Sequence, residues 1–295
     1  MLIKTPLRYP GGKSIMAKLF ADMFEVNNLE HVTYAEPYAG GAGTAINLLL
    51  ANKVDRIMIN DANVGLYSFW KAIINETDSF IDLVQTVPVT LEEWRKQHAI
   101  LKNGHCPSFE LGFATFFMSR TNRSGILSAG PIGGSSEEKQ KSASYKIDCR
   151  FNRNELSDKI LAIADRKKSI VISNKDAIKF LKDLKGNNKF VYLDPPYYIK
   201  GKSLYLDYYK KQDHCILSDY LRETTKFKWV LSYDNVFEIR ELYKDFDLYE
   251  FDLKYTANRV KFGAELLTCS KDLILPERKV IRRNENDVQL RRIVI

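Results

Sequence analysis

Short apolar runs alternate with amphipathic ones along most of this chain. Val32–Ala35 and Arg56–Ile59 are brief and rich in apolar residues, which predicts strands. Thr44–Ala51 between them has helical spacing. The alternation resumes at Asn154, placed to cap a helix running through Ala164. Strands are then predicted at Ser169–Ser173, Phe190–Leu193 and Lys228–Ser232, and helices at Ala177–Leu184, Asp213–Thr225 and Val236–Tyr243. Phe246–Leu253 and Ala264–Ser270 can pair as a hairpin. The order predicts an α/β fold: a doubly wound, mostly parallel sheet with helices on both faces and a closing antiparallel hairpin.

The middle of the chain breaks this rhythm. Thr90 with Glu93 forms a capping box, and Ser108 can cap the apolar run Phe109–Met118. A polar, Gly- and Ser-rich stretch follows and belongs to no strand series. Residues 65–153 are therefore expected to form an inserted, mainly helical domain with a flexible basic loop. Residues 1–64 and 154–295 would form the other domain.

Charge sharpens the picture. The chain carries a net charge of +8 in 295 residues. Residues 102–168 hold 12 Lys and Arg against 7 Asp and Glu, residues 276–295 hold 6 against 3, and the rest is balanced. A basic segment beside a neutral globule points to a polyanion, nucleic acid first, although a solvated charged face would have the same composition. The first residues contain no signal-peptide core and no run reaches the length of a membrane span, so a cytoplasmic protein is expected. Cys106, Cys149, Cys215 and Cys269 are scattered, as reduced thiols are. The four histidines lack ligand spacing, and His105-Cys106 has no second pair, so no metal is expected.

Candidate chemistry gathers at the strand tips. Asp194-Pro195-Pro196-Tyr197 ends a buried strand with a carboxylate, a carbonyl free of local N–H competition and a flat ring. Two acceptors and a stacking face suit a flat base bearing an exocyclic amine. Glu36-Pro37-Tyr38-Ala39-Gly40-Gly41-Ala42-Gly43 follows the first strong strand, where glycines let backbone approach a ligand closely. Asp61 ends the second strand, beside that turn in a doubly wound sheet, where it can accept from ribose hydroxyls. Asp176 stands at a third tip and can serve either an adenine amine or the cap of the following helix. Gly11-Gly12-Lys13-Ser14 resembles the end of a P-loop, but Leu7 stands where that motif needs glycine and no strand precedes it. Nucleoside-triphosphate binding is rejected, while Lys13 can still hold a carboxylate.

Taken together, Pro6-Leu7-Arg8-Tyr9-Pro10-Gly11-Gly12-Lys13, the Glu36–Gly43 turn, a basic insert and Asp194–Tyr197 resemble the Dam-type adenine-N6 DNA methyltransferases. Asn122-Arg123-Ser124-Gly125 and Arg150-Phe151-Asn152 resemble that family's recognition signature, and Asn258-Arg259 and Glu265-Leu266-Leu267 its closing region. The resemblance implies S-adenosylmethionine held by Tyr9, Pro10, Gly11, Lys13, the Glu36–Gly41 turn (Glu36, Pro37, Tyr38, Ala39, Gly40, Gly41), Asp61, Asp176 and Asp194. It implies catalysis by Asp194, Pro195, Pro196 and Tyr197 on a base flipped out of double-stranded DNA. Tyr38 replaces the usual Phe, and Ala177 a frequent Phe after the acid. The insert's polar loop places Arg120, Asn122 and Arg123 to read base edges, with Ser124 and Arg150 beside them and Lys139, Lys141 and Lys146 on phosphates. A monomer is implied, with a cognate restriction endonuclease as a companion. The alternatives are an RNA substrate, a protein glutamine amide (where Asn usually replaces Asp194) and a non-catalytic DNA-binding module.

Overall fold

The structure is a computed structural model that describes residues 4–186, 188–198, 209–224, 226–255, 261–277, 280–283 and 286–293. Its centre is an eight-stranded sheet in the order β10-β6-β7-β5-β4-β1-β2-β3. β1 (Thr33–Glu36), β2 (Arg56–Asn60), β3 (Ile170–Ser173), β4 (Lys189–Leu193) and β5 (Lys228–Asp234) are mutually parallel. β6 (Leu248–Tyr255) and β7 (Lys261–Cys269) form the expected antiparallel hairpin, with β7 against β5. The two-residue β10 (Arg291–Arg292) covers the β6 edge. β8 (Val280–Arg283) and β9 (Asn286–Gln289) pair apart from this sheet.

The doubly wound, mostly parallel sheet expected from the sequence is the one observed. Strand order runs outward from β1 through β2 to β3, then returns to β4 on the other side of β1. The crevice outside the carboxyl ends of β1 and β4 is thus the switch point at which such sheets bind ligands.

Helices cover both faces. α1 (Met16–Val26) and α2 (Gly43–Leu50) lie on one, buried through residues such as Leu19, Phe20, Ile46 and Leu49. α3 (Val64–Asn75), α4 (Thr77–Thr86), α5 (Leu91–Asn103), α6 (Phe109–Thr121), α7 (Glu137–Ser142) and α8 (Arg153–Ala164) fill the chain between β2 and β3. Phe69, Phe80 and Phe116 form an aromatic cluster there, Phe69 and Phe116 stacking at 5.9 Å. α3 and α6 approach so closely that a Cβ on Gly112 would stand 2.6 Å from the Ser68 carbonyl oxygen. This cluster is continuous with Ile57 and Ile59 of the sheet. α9 (Ala177–Asp183), α10 (Lys211–Glu223) and α11 (Phe237–Leu242) cover the opposite face over Val191, Leu193 and Leu231.

Local signals explain most helix starts. Thr90 accepts from the Glu93 N–H and Ser108 from the Leu111 N–H. One expected cap is wrong: Asn152, not Asn154, accepts from the Glu155 N–H and opens α8 two residues earlier. Asn154 lies inside that helix. The Thr225 end of the helix expected at Asp213–Thr225, and Asn258 and Arg259, lie outside the described residues. No described helix is long and apolar enough to cross a membrane.

Candidate active site

The carboxyl ends of β1, β2 and β4 open into a cleft of about 960 Å³. That volume suits a nucleoside-sized ligand and part of a second one. Its floor is the turn after β1. Gly40 has φ +48°, and a Cβ there would stand 2.6 Å from the Tyr9 ring. Only glycine fits that close approach. The turn is held from three sides. Gly40 N–H donates to Asp61 at 2.8 Å, Trp70 Nε1 donates to the Gly40 carbonyl at 3.2 Å, and Ala39 N–H donates to the Asn60 carbonyl at 2.9 Å. Asp61 also accepts from Asn63 N–H at 2.9 Å, so its carboxylate is fixed beside the turn. Asp176 lines the cleft and caps α9 through the Lys179 N–H at 3.0 Å.

Glu36 is buried at the end of β1 and accepts from the Tyr34 hydroxyl at 2.8 Å and Ala45 N–H at 3.1 Å. Burial outweighs those bonds, and with the nearby Asp194 charge its carboxyl is pushed up to about 8. Glu36 therefore keeps its proton at neutral pH in this state.

Asp194 stands at the tip of β4. Its Oδ1 accepts from Ser232 Oγ at 2.7 Å, and Oδ2 accepts from Lys13 Nζ at 3.1 Å. Ser232 is fully buried on β5 and shares a 2.7 Å hydrogen bond with the Tyr192 hydroxyl. Lys13 is 4% exposed; it also bonds the Tyr197 hydroxyl at 2.7 Å and approaches Glu265 at 3.4 Å. Tyr197 in turn donates to Glu265. Tyr198 N–H donates to Asp234 at 3.0 Å and ties the end of the proline corner to β5.

This network departs from two expectations. Tyr197 was expected to present an open stacking face. Its ring is 5% exposed and packs with Val191, Leu193 and Tyr233, because its hydroxyl is drawn inward to Lys13 and Glu265. The other departure is Asn122, expected to read bases. It is fully buried, donating to the Ile126 and Leu127 carbonyls at 3.0 Å each and accepting from Trp94 Nε1 at 2.7 Å. With every polar atom of its side chain engaged, it braces the loop. Backbone hydrogen bonds close the same loop: Arg123 N–H donates to the Gly130 carbonyl at 3.0 Å, and Ile132 N–H to the Thr121 carbonyl at 2.9 Å.

The other expected residues divide by position. Tyr9, Pro10, Gly11, Pro37, Tyr38, Ala39 and Gly41 line the cleft with the residues already placed. Pro196 lines it, whereas Pro195 is buried beside it. Arg120, Ser124 and Arg150 lie on its insert-side wall. Arg123, Lys139, Lys141 and Lys146 are exposed on the insert outside the cleft. Sequence reasoning assigned no part in the site to Tyr192 or Glu265. Glu265 carried a usable signal: an acid within the apolar run Phe262–Thr268 needs a buried cation.

No group of three His, Cys, Asp or Glu side chains among the described residues can hold a metal. Residues 9–257 match the D12 class N6 adenine-specific DNA methyltransferase family. The chain belongs to that family. The enzyme is thus an adenine-N6 DNA methyltransferase, and its motifs fall where the strand tips converge. It is 23% identical over 264 residues to the Type II methyltransferase M.CviBI of Paramecium bursaria Chlorella virus NC1A, covering 86% of this chain and 91% of the viral one. An rRNA methyltransferase, aviRa from Streptomyces viridochromogenes, superposes with a TM-score of 0.34 at 12% identity, covering 92% of this chain and 91% of the other.

Proposed function

We propose that the cleft holds S-adenosylmethionine against the Gly40 turn and methylates N6 of an adenine flipped out of double-stranded DNA, as in Dam-type enzymes. The observation that carries this is the pairing of β1 with β4, which sets the Gly turn and Asp194 side by side on one edge. The turn fits the cofactor: it admits no Cβ at Gly40, and Asp61 lies within reach of a ribose in the same cleft.

When bound, S-adenosylmethionine supplies an electrophilic methyl group. The chain's own residues act on the acceptor. Adenine N6 is a weak nucleophile because its lone pair is delocalised into the ring. Asp194 and the Pro195 carbonyl accept its two N–H groups, favour a pyramidal nitrogen and raise its electron density. Positive charge grows on N6 during attack, so the Asp194 carboxylate stabilises the transition state more than the ground state. Ser232 and Lys13 hold that carboxylate in place.

The recognition unit of this proposal is the insert of residues 65–153, with residues 1–64 and 154–295 as the catalytic unit. The reading takes the enzyme to act as a monomer. The Type II designation of the viral relative supports pairing with a restriction endonuclease of the same specificity.

Tritium transfer from labelled cofactor to duplex DNA, RNA and protein, offered separately, tests the proposal. Label on adenine N6 of duplex DNA is expected. Label on RNA or protein alone would overturn it. Sequencing DNA from an expressing host then maps the methylated motif.

A further inference from the structure

Three guanidinium groups meet on the insert-side wall of the cleft. Arg8 precedes the Gly-Gly-Lys turn, Arg120 ends α6 and Arg150 lies just before α8. Their backbones are held firmly. Gly125, at φ +72°, packs so tightly that a Cβ there would stand 2.4 Å from the Arg8 carbonyl oxygen. Arg120 Nε donates to the Arg150 carbonyl at 2.8 Å.

Arg8 Nη1 is buried without a hydrogen-bond partner, and none of the three forms an ion pair among the described residues. The carboxylate whose charge acts on Arg120 is that of Glu155, which is engaged by Lys159 at 2.6 Å. Burial and the charge of Arg8 pull Arg120 down to about 10, and burial and Arg150 lower Arg8. Like charges held together, one of them with a buried Nη1 that finds no acceptor, are costly unless an anion completes them. A cofactor carboxylate would match one guanidinium fork. Arg120 spends Nε on the Arg150 carbonyl and reaches the Pro6 carbonyl with Nη1, but the donors left on the three groups suit the oxygens of phosphate.

We propose that Arg8, Arg120 and Arg150 form a phosphodiester-binding site that grips the DNA backbone next to the nucleotide entering the cleft. The inference rests on the DNA-methylating reading of that cleft. It makes Arg120 a backbone contact instead of the base reader expected from sequence, and gives Arg8 a role that no motif assigned.

The test uses the full chain and a duplex carrying its mapped motif, with single linkages replaced by neutral methylphosphonate. Arg8 Nη1 has no acceptor among the described residues to leave behind, so Arg8→Ala is expected to melt like wild type. Arg8→Ala and Arg150→Ala should each weaken cognate and unrelated duplexes alike by about tenfold at low salt. Each should lower the slope of log affinity against log salt by about one. Arg8→Lys should recover part of the loss, and cofactor affinity should not change. One methylphosphonate near the target should weaken wild type by a similar factor and Arg8→Ala no further. Unchanged duplex affinity and slope would overturn the site. So would a motif relaxed at one base pair, which would make Arg8 a base reader, or a loss confined to cofactor binding, which would make it a carboxylate site. Absence of any methyl transfer to DNA by wild type would instead refute the reading on which the site rests.

Discussion

Lys13 and Tyr197, 184 residues apart, share a hydrogen bond of 2.7 Å between the ammonium and the phenol oxygen. The bond joins the Gly-Gly-Lys turn to the proline corner, and Glu265 on β7 closes the triangle. Resemblance to a P-loop drew attention to this lysine, but the anions it pairs with here include Asp194 and Glu265 of its own chain.

Removing that cation should be expensive. Lys13→Met takes the buried ammonium 3.4 Å away from Glu265, an acid 1% exposed. A loss of roughly 3–5 kcal/mol is expected in urea denaturation. Adding Glu265→Gln to Lys13→Met should restore part of it. If the single variant is as stable as wild type, Glu265 is protonated in the native protein and the pair is not ionic.

The Tyr197 hydroxyl matters more than a stacking role alone would require. Tyr197→Phe removes one partner each from Lys13 and Glu265, and a loss of about 1–3 kcal/mol of stability is expected. Thermal melts of the purified variant give the answer directly. An unchanged melting temperature would mean that the ring turns outward in solution.

Asp194→Ala should abolish turnover while sparing cofactor binding. The carboxylate acts on the acceptor nitrogen, and its removal should lower kcat by at least about 10²-fold. Calorimetry should show cofactor affinity within a few-fold of wild type. Turnover within tenfold of wild type would assign the acceptor role elsewhere.

Glu36 predicts how stability follows pH. The folded chain keeps the proton up to about 8, whereas an unburied glutamate releases it near 4.5. Between those values the folded state binds the extra proton, so the stability this group contributes is full below about 4.5 and is lost as pH rises through about 8. The slope in that window is about 1.4 kcal/mol per pH unit. Glu36→Gln keeps an acceptor for Tyr34 and Ala45 and should flatten the slope, making the variant the more stable form above pH 8. Denaturation series from pH 5 to 9 on both proteins would expose the difference. Parallel curves would show that Glu36 is ionised throughout.

The sheet was legible because its strands are short, apolar and separated by helices with periodic faces, a pattern that only a layered parallel arrangement satisfies. Asp61 could be placed beside Gly40 from spacing alone, since adjacent strand tips in such a sheet are neighbours. Side-chain orientation was not legible. Whether Tyr197 faces the cleft or the core depends on Lys13 and Glu265, which are remote in sequence. Asn122 looked available because its loop is polar and Gly-rich, yet the carbonyls of that same loop, bent back upon it, consume its amide. Arg8 was invisible for the opposite reason: its significance is the partner it lacks.

Trp70 gives the molecule an optical handle. Its indole is buried on α3 and donates to the carbonyl of Gly40, the residue on which the cofactor would rest. Of the other two tryptophans, Trp94 on α5 donates to Asn122 and Trp229 on β5 packs against Phe246. Any ligand that shifts the Gly40 peptide alters the polarity felt by one fluorophore. Occupancy of the cleft can therefore be followed by intrinsic emission in the unlabelled protein, with Trp70→Phe as the silent control.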